Sequence, residues 1–208
     1  DNVRGFLDAD FEDYHKQLKS TLKKLGYEID WHLFNASDFD VPQLRPRVVI
    51  VAIRRNSYDK FSWPVSTGVM PPTVGESLFD LMTEKKWRGA SRWRREADDI
   101  APTIVGGSLK HGGPDLGPTR AKRAWATLGV DGMGISDAAP DRDFVGMPRL
   151  TVRMIARLQG FPDTWQISGR KTAAYRQVGN AFPPPVAEAV ASKIREAITA
   201  KRAVQVVA

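Results

Sequence analysis

The 208-residue chain carries 31 Lys and Arg against 24 Asp and Glu, three His and no Cys, for a formal charge of +7. Its length suits one ordinary domain or two small ones, and its 42% apolar content supports a packed core rather than disorder. With no cysteine it has no disulfide framework, no thiolate zinc site, no iron–sulfur cluster and no cysteine nucleophile. No apolar run reaches the roughly 18 residues of a membrane helix, and no secretory signal opens the chain, so the expected compartment is the cytoplasm and no membrane partner is expected. The positive charge points to polyanionic partners, nucleic acid first. The chain begins at Asp1 rather than Met, so the expectation is a piece of a longer chain or a product with its start removed.

In chain order, Phe11, Tyr14, Leu18, Leu22 and Leu25 fall at helical spacing, with Asp10 as N-cap and Gly26 as stop. Tyr27 to Phe34 alternates like a strand and is followed by turn residues at 35–38. Arg47 to Ile53 is a β-branched run without alternation, the pattern of a strand covered on both faces. Together these read as the tail of an α/β domain. From residue 56 to 148 the chain is rich in Gly, Pro and Trp, with one predicted helix over Val74–Met82 capped by Thr73. Ten Lys and Arg but only four Asp and Glu lie between Lys85 and Arg123, so nearly all the surplus charge sits in one stretch. Regularity returns at Arg149. Thr151 caps a helix with Met154, Ile155 and Leu158 on its apolar face, closed by Gly160. A turn at Phe161–Asp163 and a short helix over Thr172–Val178 follow. Pro183 to Pro185 then open a last helix, whose expected buried stripe is Val186, Val190, Ile194 and Ile198.

Four local patterns stand out. They are Asp1-Asn2-Val3; Gln43-Leu44-Arg45-Pro46-Arg47; Leu150-Thr151-Val152-Arg153 running on to Leu158-Gln159-Gly160-Phe161-Pro162; and Gly179-Asn180-Ala181-Phe182. In this order, separated by a basic region, they resemble the later motif blocks of the cytosine-5 DNA methyltransferases. The resemblance covers nearly the whole chain. It implies an α/β fold class: the C-terminal part of a Rossmann-like methyltransferase catalytic domain plus a small, loop-rich, mainly β target-recognition domain. The expected divisions are 1–55 for the end of the catalytic domain, 56–148 for target recognition, and 149–208 for a hinge block and returning helix.

The resemblance also implies a chemistry. Such enzymes flip the target cytosine from the duplex, and a cysteine thiolate attacks ring carbon 6 so that carbon 5 accepts the methyl of S-adenosylmethionine. Asp1 stands where the family has a Glu that bonds the cytosine edge; it is one methylene shorter, and reach matters where geometry is tightly held. Asn2 would shape the loop and Val3 pack behind it. Arg45 and Arg47, two apart, are expected to project to one side, one toward the base carbonyl oxygen and the other toward a phosphate or the catalytic loop. Asp1, Arg45 and Arg47 are thus the catalytic candidates. Asn180, Ala181 and Phe182 are the cofactor-binding candidates, for S-adenosyl-L-methionine.

The basic module is the expected reader of double-stranded DNA. Arg88, Arg92, Arg94 and Arg95 are phosphate candidates. Thr103, Gly106, Gly107, Ser108 and Lys110 resemble the start of the recognition loop, and Arg120, Lys122 and Arg123 are candidates for guanine contacts. His15 and His32 are expected to be satisfied histidines and His111 to sit in the glycine-rich loop. No metal site is expected, and Glu96, Asp98 and Asp99 read as a solvated turn. The expected function is part of a DNA (cytosine-5-)-methyltransferase of a restriction-modification system, with the nucleophile and most of the cofactor site in an N-terminal half outside this chain. The alternative is a catalytically inactive DNA-binding or regulatory relative.

Overall fold

The computed structural model describes residues 1–106 and 114–200. The chain divides into two compact units, one of residues 1–34, 46–66 and the segment from Val186 on, the other of residues 35–45 and 67–185. The Thr151–Gly160 block therefore counts with the basic stretch. So does the part of the Gln-x-Arg-x-Arg block before Pro46.

In the first unit, helix α1 spans Glu12–Lys24. It starts later than its apolar spacing predicts because Asp10 lies in a 3-10 turn, Ala9–Phe11, and Phe11 takes the N-cap without a side-chain bond. Gly26 ends it at φ 83°, a left-handed conformation that glycine adopts at no Cβ cost. Strands β1 (Tyr27–Asn35) and β2 (Pro46–Arg54) form a two-stranded sheet. Val48 and Val49 are both buried, but beyond them Val51 and Ile53 are buried while Ala52 and Arg54 are exposed. The expected two-sided cover thus holds only for the first half of β2. A short helix, α2 (Arg55–Tyr58), follows it. The ring of His15 lies 4.4 Å from Phe6 and 4.8 Å from Trp31, and its Nε2 is 2.8 Å from the Phe6 carbonyl, so this histidine is satisfied locally.

The second unit is helical: α3 (Val74–Met82), α4 (Ala90–Glu96), α5 (Thr119–Thr127), α6 (Val152–Leu158) and α7 (Lys171–Asn180). Helix α3 packs on α4 and α6, and α6 packs on α7. Leu78, Leu81, Met82, Trp93, Trp125, Ile155, Leu158 and Tyr175 meet in one core, each large apolar side chain contributing about 1.5–3 kcal/mol of burial. The first turn of α3 is fully occupied. Thr73 Oγ1 accepts from Glu76 N, Glu76 Oε2 accepts from Thr73 N, and the amides of Val74 and Gly75 donate to Asp99 O and Ala97 O. A Cβ on Gly75 would collide with the Arg94 carbonyl, so glycine sets the α3–α4 approach.

The expectation of a mainly β recognition module is overturned. Among the described residues, 59–148 contain helices and no strand. Ala90, Arg92, Arg94 and Arg95, and likewise Ala121, Lys122, Ala124 and Ala126, are strong helix formers, and each run buries one tryptophan, Trp93 or Trp125. The last helix, α8 (Pro184–Thr199), buries Val186, Val190 and Ala197, whereas Ile198 is 59% exposed. Strict i+4 steps drift about 40° each around a 3.6-residue helix, so the eleventh residue after Val186, not the twelfth, returns to its face.

Candidate functional site

Three buried polar side chains organise the second unit: Gln43, Arg45 and Gln159. Gln43 Nε2 donates to Leu158 O at 3.2 Å and to Gln159 Oε1 at 2.9 Å, while its Oε1 accepts from Ile104 N at 2.9 Å. Gln159 Nε2 donates to Val178 O at 2.9 Å. Arg45 Nη1 donates to Ile104 O at 2.6 Å, and its Nη2 to Gly179 O at 2.9 Å and Ala181 O at 3.0 Å. A buried guanidinium is tolerable only where its donors meet acceptors, and here the forked head is matched by backbone carbonyls. Four segments distant in sequence, 43–45, 104, 158–159 and 178–181, are thereby held together. Arg45 lies one residue before β2, and its guanidinium is directed to carbonyls of the second unit.

Helix α7 carries the next group. Asn180 is its last residue, with an exposed side chain, and Ala181 and Phe182 are half-buried. The Ala181 amide donates to Val178 O at 3.1 Å, so that N–H is already occupied. The Tyr175 hydroxyl lies 2.5 Å from both Val105 O and Asp115 O. Burial, reinforced by the Asp115 carboxylate, raises its pKa well above the ordinary tyrosine value, which keeps the proton in place for donation.

In the first unit, Asp1 Oδ2 lies 3.1 Å from Arg47 Nε. Reciprocal backbone bonds between Asn2 and Val48, at 2.8 and 2.9 Å, tie the 1–3 segment to β2 beside Arg47. Asn2 Oδ1 accepts from Val3 N at 2.8 Å, which shapes this segment, while Val3 is 58% exposed rather than buried behind it. Burial lowers the Arg47 pKa, yet a guanidinium starts high enough to stay charged at neutral pH.

The basic candidates sort by environment. Arg88 pairs with Asp143 at 2.7 Å and Arg92 with Glu96 at 2.7 Å. The Arg94 guanidinium carbon sits 5.1 Å from the Phe79 ring centroid. Lys122 is largely buried against Asp115, 2.7 Å away, and Thr103 Oγ1 donates to Leu44 O at 2.5 Å, so both serve the local fold. Gly106 is buried. Arg95, Arg120 and Arg123 are exposed and have no acidic partner among the described residues. Gly107, Ser108, Lys110 and His111 lie outside the described residues.

A family model described as C-5 cytosine-specific DNA methylase matches residues 1–196. The chain belongs to the C-5 cytosine-specific DNA methylase family. It is 56% identical over 202 residues to the type II methyltransferase M.NaeI of Lentzea aerocolonigenes, which covers 95% of this chain and 48% of that protein. It is 49% identical over 203 residues to M.NgoMIV of Neisseria gonorrhoeae, covering 95% of this chain and 64% of that one. The chain thus spans about half to two thirds of the length of these relatives. Among solved structures, a Dnmt2 methyltransferase of S. pombe superposes with a TM-score of 0.57 at 16% identity, over 95% of this chain and 66% of its own. A putative prophage-encoded DNA modification methyltransferase from E. coli gives 0.57 at 19%, over 95% and 68%. At such identities these two speak for the methyltransferase fold alone.

Gln43 and Gln159 are the residues that motif reading passed over as chemistry. Their signal was present: glutamine in otherwise apolar or arginine-bearing blocks, at positions where the burial pattern leaves no solvent to satisfy it. No cysteine, and so no thiolate nucleophile, occurs in the methylase chain.

Proposed function

We propose that this chain supplies DNA recognition and part of the catalytic apparatus of a cytosine-5 DNA methyltransferase of a restriction-modification system, with the cysteine nucleophile provided by an N-terminal part outside these 208 residues. The observation that supports this reading is the Asp1–Arg47 pair, at 3.1 Å, formed by two residues whose motifs resemble those that carry the family's carboxylate and arginine. In this reading the Asp1 carboxylate accepts from the exocyclic amine of the flipped cytosine. Arg47 orients that carboxylate, and its charged guanidinium stands on the side from which the base would approach. Arg45 is assigned no contact with substrate; its buried bonds to Ile104, Gly179 and Ala181 make it a positioning residue.

The residues present fit S-adenosylmethionine in part. Asn180 carries a side-chain amide with both donor and acceptor character, the chemistry that suits the amino-acid end of the cofactor, and the half-buried Phe182 offers an apolar ring near it in sequence. The Ala181 N–H is spent on Val178 O, so Ala181 serves as backbone whose carbonyl Arg45 fixes. When bound, the cofactor supplies the methyl group. Arg95, Arg120 and Arg123 are proposed to meet duplex DNA directly, and Arg94, held over the Phe79 ring, adds positive potential, whereas Arg88 and Arg92 are offset by Asp143 and Glu96.

The test is reconstitution. Pairing this chain with a cysteine-bearing N-terminal part should transfer radiolabelled methyl from S-adenosylmethionine to duplex DNA. Specific DNA binding with no transfer under any pairing would overturn the catalytic assignment. It would favour the inactive DNA-binding relative, for which Asp1, shorter than the family's Glu, is the specific observation.

A further inference from the structure

Gly106 and Gly179 touch backbone to backbone. A Cβ on Gly179 would lie 2.5 Å from Gly106 Cα, 2.9 Å from Gly106 N and 3.2 Å from Val105 C. A Cβ on Gly106 would overlap the side-chain amide of Asn180 at Oδ1, Cγ and Nδ2. Neither glycine has a left-handed φ, so close approach, not backbone conformation, excludes a side chain at both.

The stems around this contact converge on one helix. The Tyr175 hydroxyl bonds Val105 O on one side of the glycine-rich stretch and Asp115 O on the other, donating to one at a time. Val105 Cγ2 would be 2.7 Å from a Cβ on Gly117, so the second stem also rests on the first. Arg45 holds Ile104 O and Gly179 O with the same guanidinium. The entry to the stretch assigned to DNA recognition and the end of α7 assigned to the cofactor are therefore one packed unit, with Gly106 against Asn180 at its tip.

We propose that Gly106 is a positioning residue for cofactor binding: its bare Cα sets the place of the Asn180 amide, so that the recognition-loop stem and the cofactor end of α7 move together. This rests on the assignment of Asn180 to S-adenosylmethionine made above. It departs from the sequence expectation of Gly106 as a DNA contact. Displacement of the stem displaces Asn180, and binding linkage then makes specific duplex and S-adenosylmethionine alter each other's affinity by the same factor.

The experiment uses the reconstituted methyltransferase and three variants, Gly106→Ala, Tyr175→Phe and Asn180→Ala. The dissociation constant of radiolabelled S-adenosylmethionine is measured by equilibrium dialysis, with and without specific duplex, alongside the melting temperature and the cofactor KM and kcat. Gly106→Ala is expected to weaken cofactor binding about tenfold, with more of the loss in KM than in kcat. Tyr175→Phe keeps the ring and removes the clamp. It is expected to fold and to reduce the duplex-induced change in cofactor affinity at least threefold, which keeps the proposal testable if Gly106→Ala does not fold. Weakened binding in Asn180→Ala with unchanged binding in Gly106→Ala and unchanged linkage in Tyr175→Phe would overturn the inference alone. Unchanged binding in Asn180→Ala would overturn the cofactor assignment and the inference with it.

Discussion

Arg45 and Arg120 are the same residue type in opposite surroundings. Arg45 is only 4% exposed and its guanidinium is taken up by the carbonyls of Ile104, Gly179 and Ala181. Arg120 stands on the solvent face of α5 with no acidic partner among the described residues. Both lay in segments whose motif context argued for a ligand-facing role. The difference shows that an arginine motif names a donor set but not its recipient. Where the local chain runs through the core, unsatisfied carbonyls claim the guanidinium first, because leaving them unpaired costs about 1–3 kcal/mol each. Where a helix such as α5 turns one face to solvent, as at Arg120 and Arg123, the charge remains available to phosphate.

This contrast can be broken at either end. Arg45→Met should have the largest effect, destabilising by about 3–5 kcal/mol because three carbonyls lose one buried charged partner. Urea unfolding monitored by tryptophan fluorescence reads it, and a loss under 1 kcal/mol would show that the carbonyls find other partners. Arg45→Lys should rescue little of this, since a point ammonium cannot reproduce the fork. Gln159→Leu removes one of the two acceptors of Gln43 Nε2 and one of the two donors to Val178 O, and should cost about 1–2 kcal/mol in the same assay.

A smaller effect is expected at the surface ion-pair cluster. Arg157 pairs with Asp163 and Asp80, and its hydrogen bond is the main cause that pulls the Asp163 carboxyl down to about 2. A depressed carboxyl pKa gives stability that is complete above the unfolded value, about 3.9, and is lost as pH falls toward the folded one. Between pH 4 and 2 the melting temperature of the wild type should therefore fall more steeply than that of Asp163→Asn. Parallel curves would remove Asp163 from the acid transition.

Much of the fold was legible where local chemistry decides it. Thr73 with Glu76, Thr151 with Met154, and Gly26 and Gly160 at left-handed φ mark helix ends that sequence alone could place. The strands β1 and β2 were read from their β-branched and alternating residues. The character of the basic stretch was not legible, because Gly and Pro between α3, α4 and α5 masked short helices whose stability comes from burying Trp93 and Trp125. Of the site, Asp1 and Arg47 were legible as separate candidates from their motifs, but the ion pair between them was not, because it joins residues 46 positions apart. The Gly106–Gly179 approach was not, because a glycine pair 73 residues apart carries no local signal of contact.

The contrast is tested most directly by the salt dependence of specific duplex binding in the double variant Arg120→Ala/Arg123→Ala, with unfolding measured on the same samples. Two exposed cations that meet phosphate or guanine should lower the slope of log K against log salt by about 2 while stability stays within about 0.5 kcal/mol. An unchanged slope, or a lowered slope accompanied by the destabilisation expected of Arg45→Met, would contradict the division between arginines that hold the chain together and arginines that hold DNA.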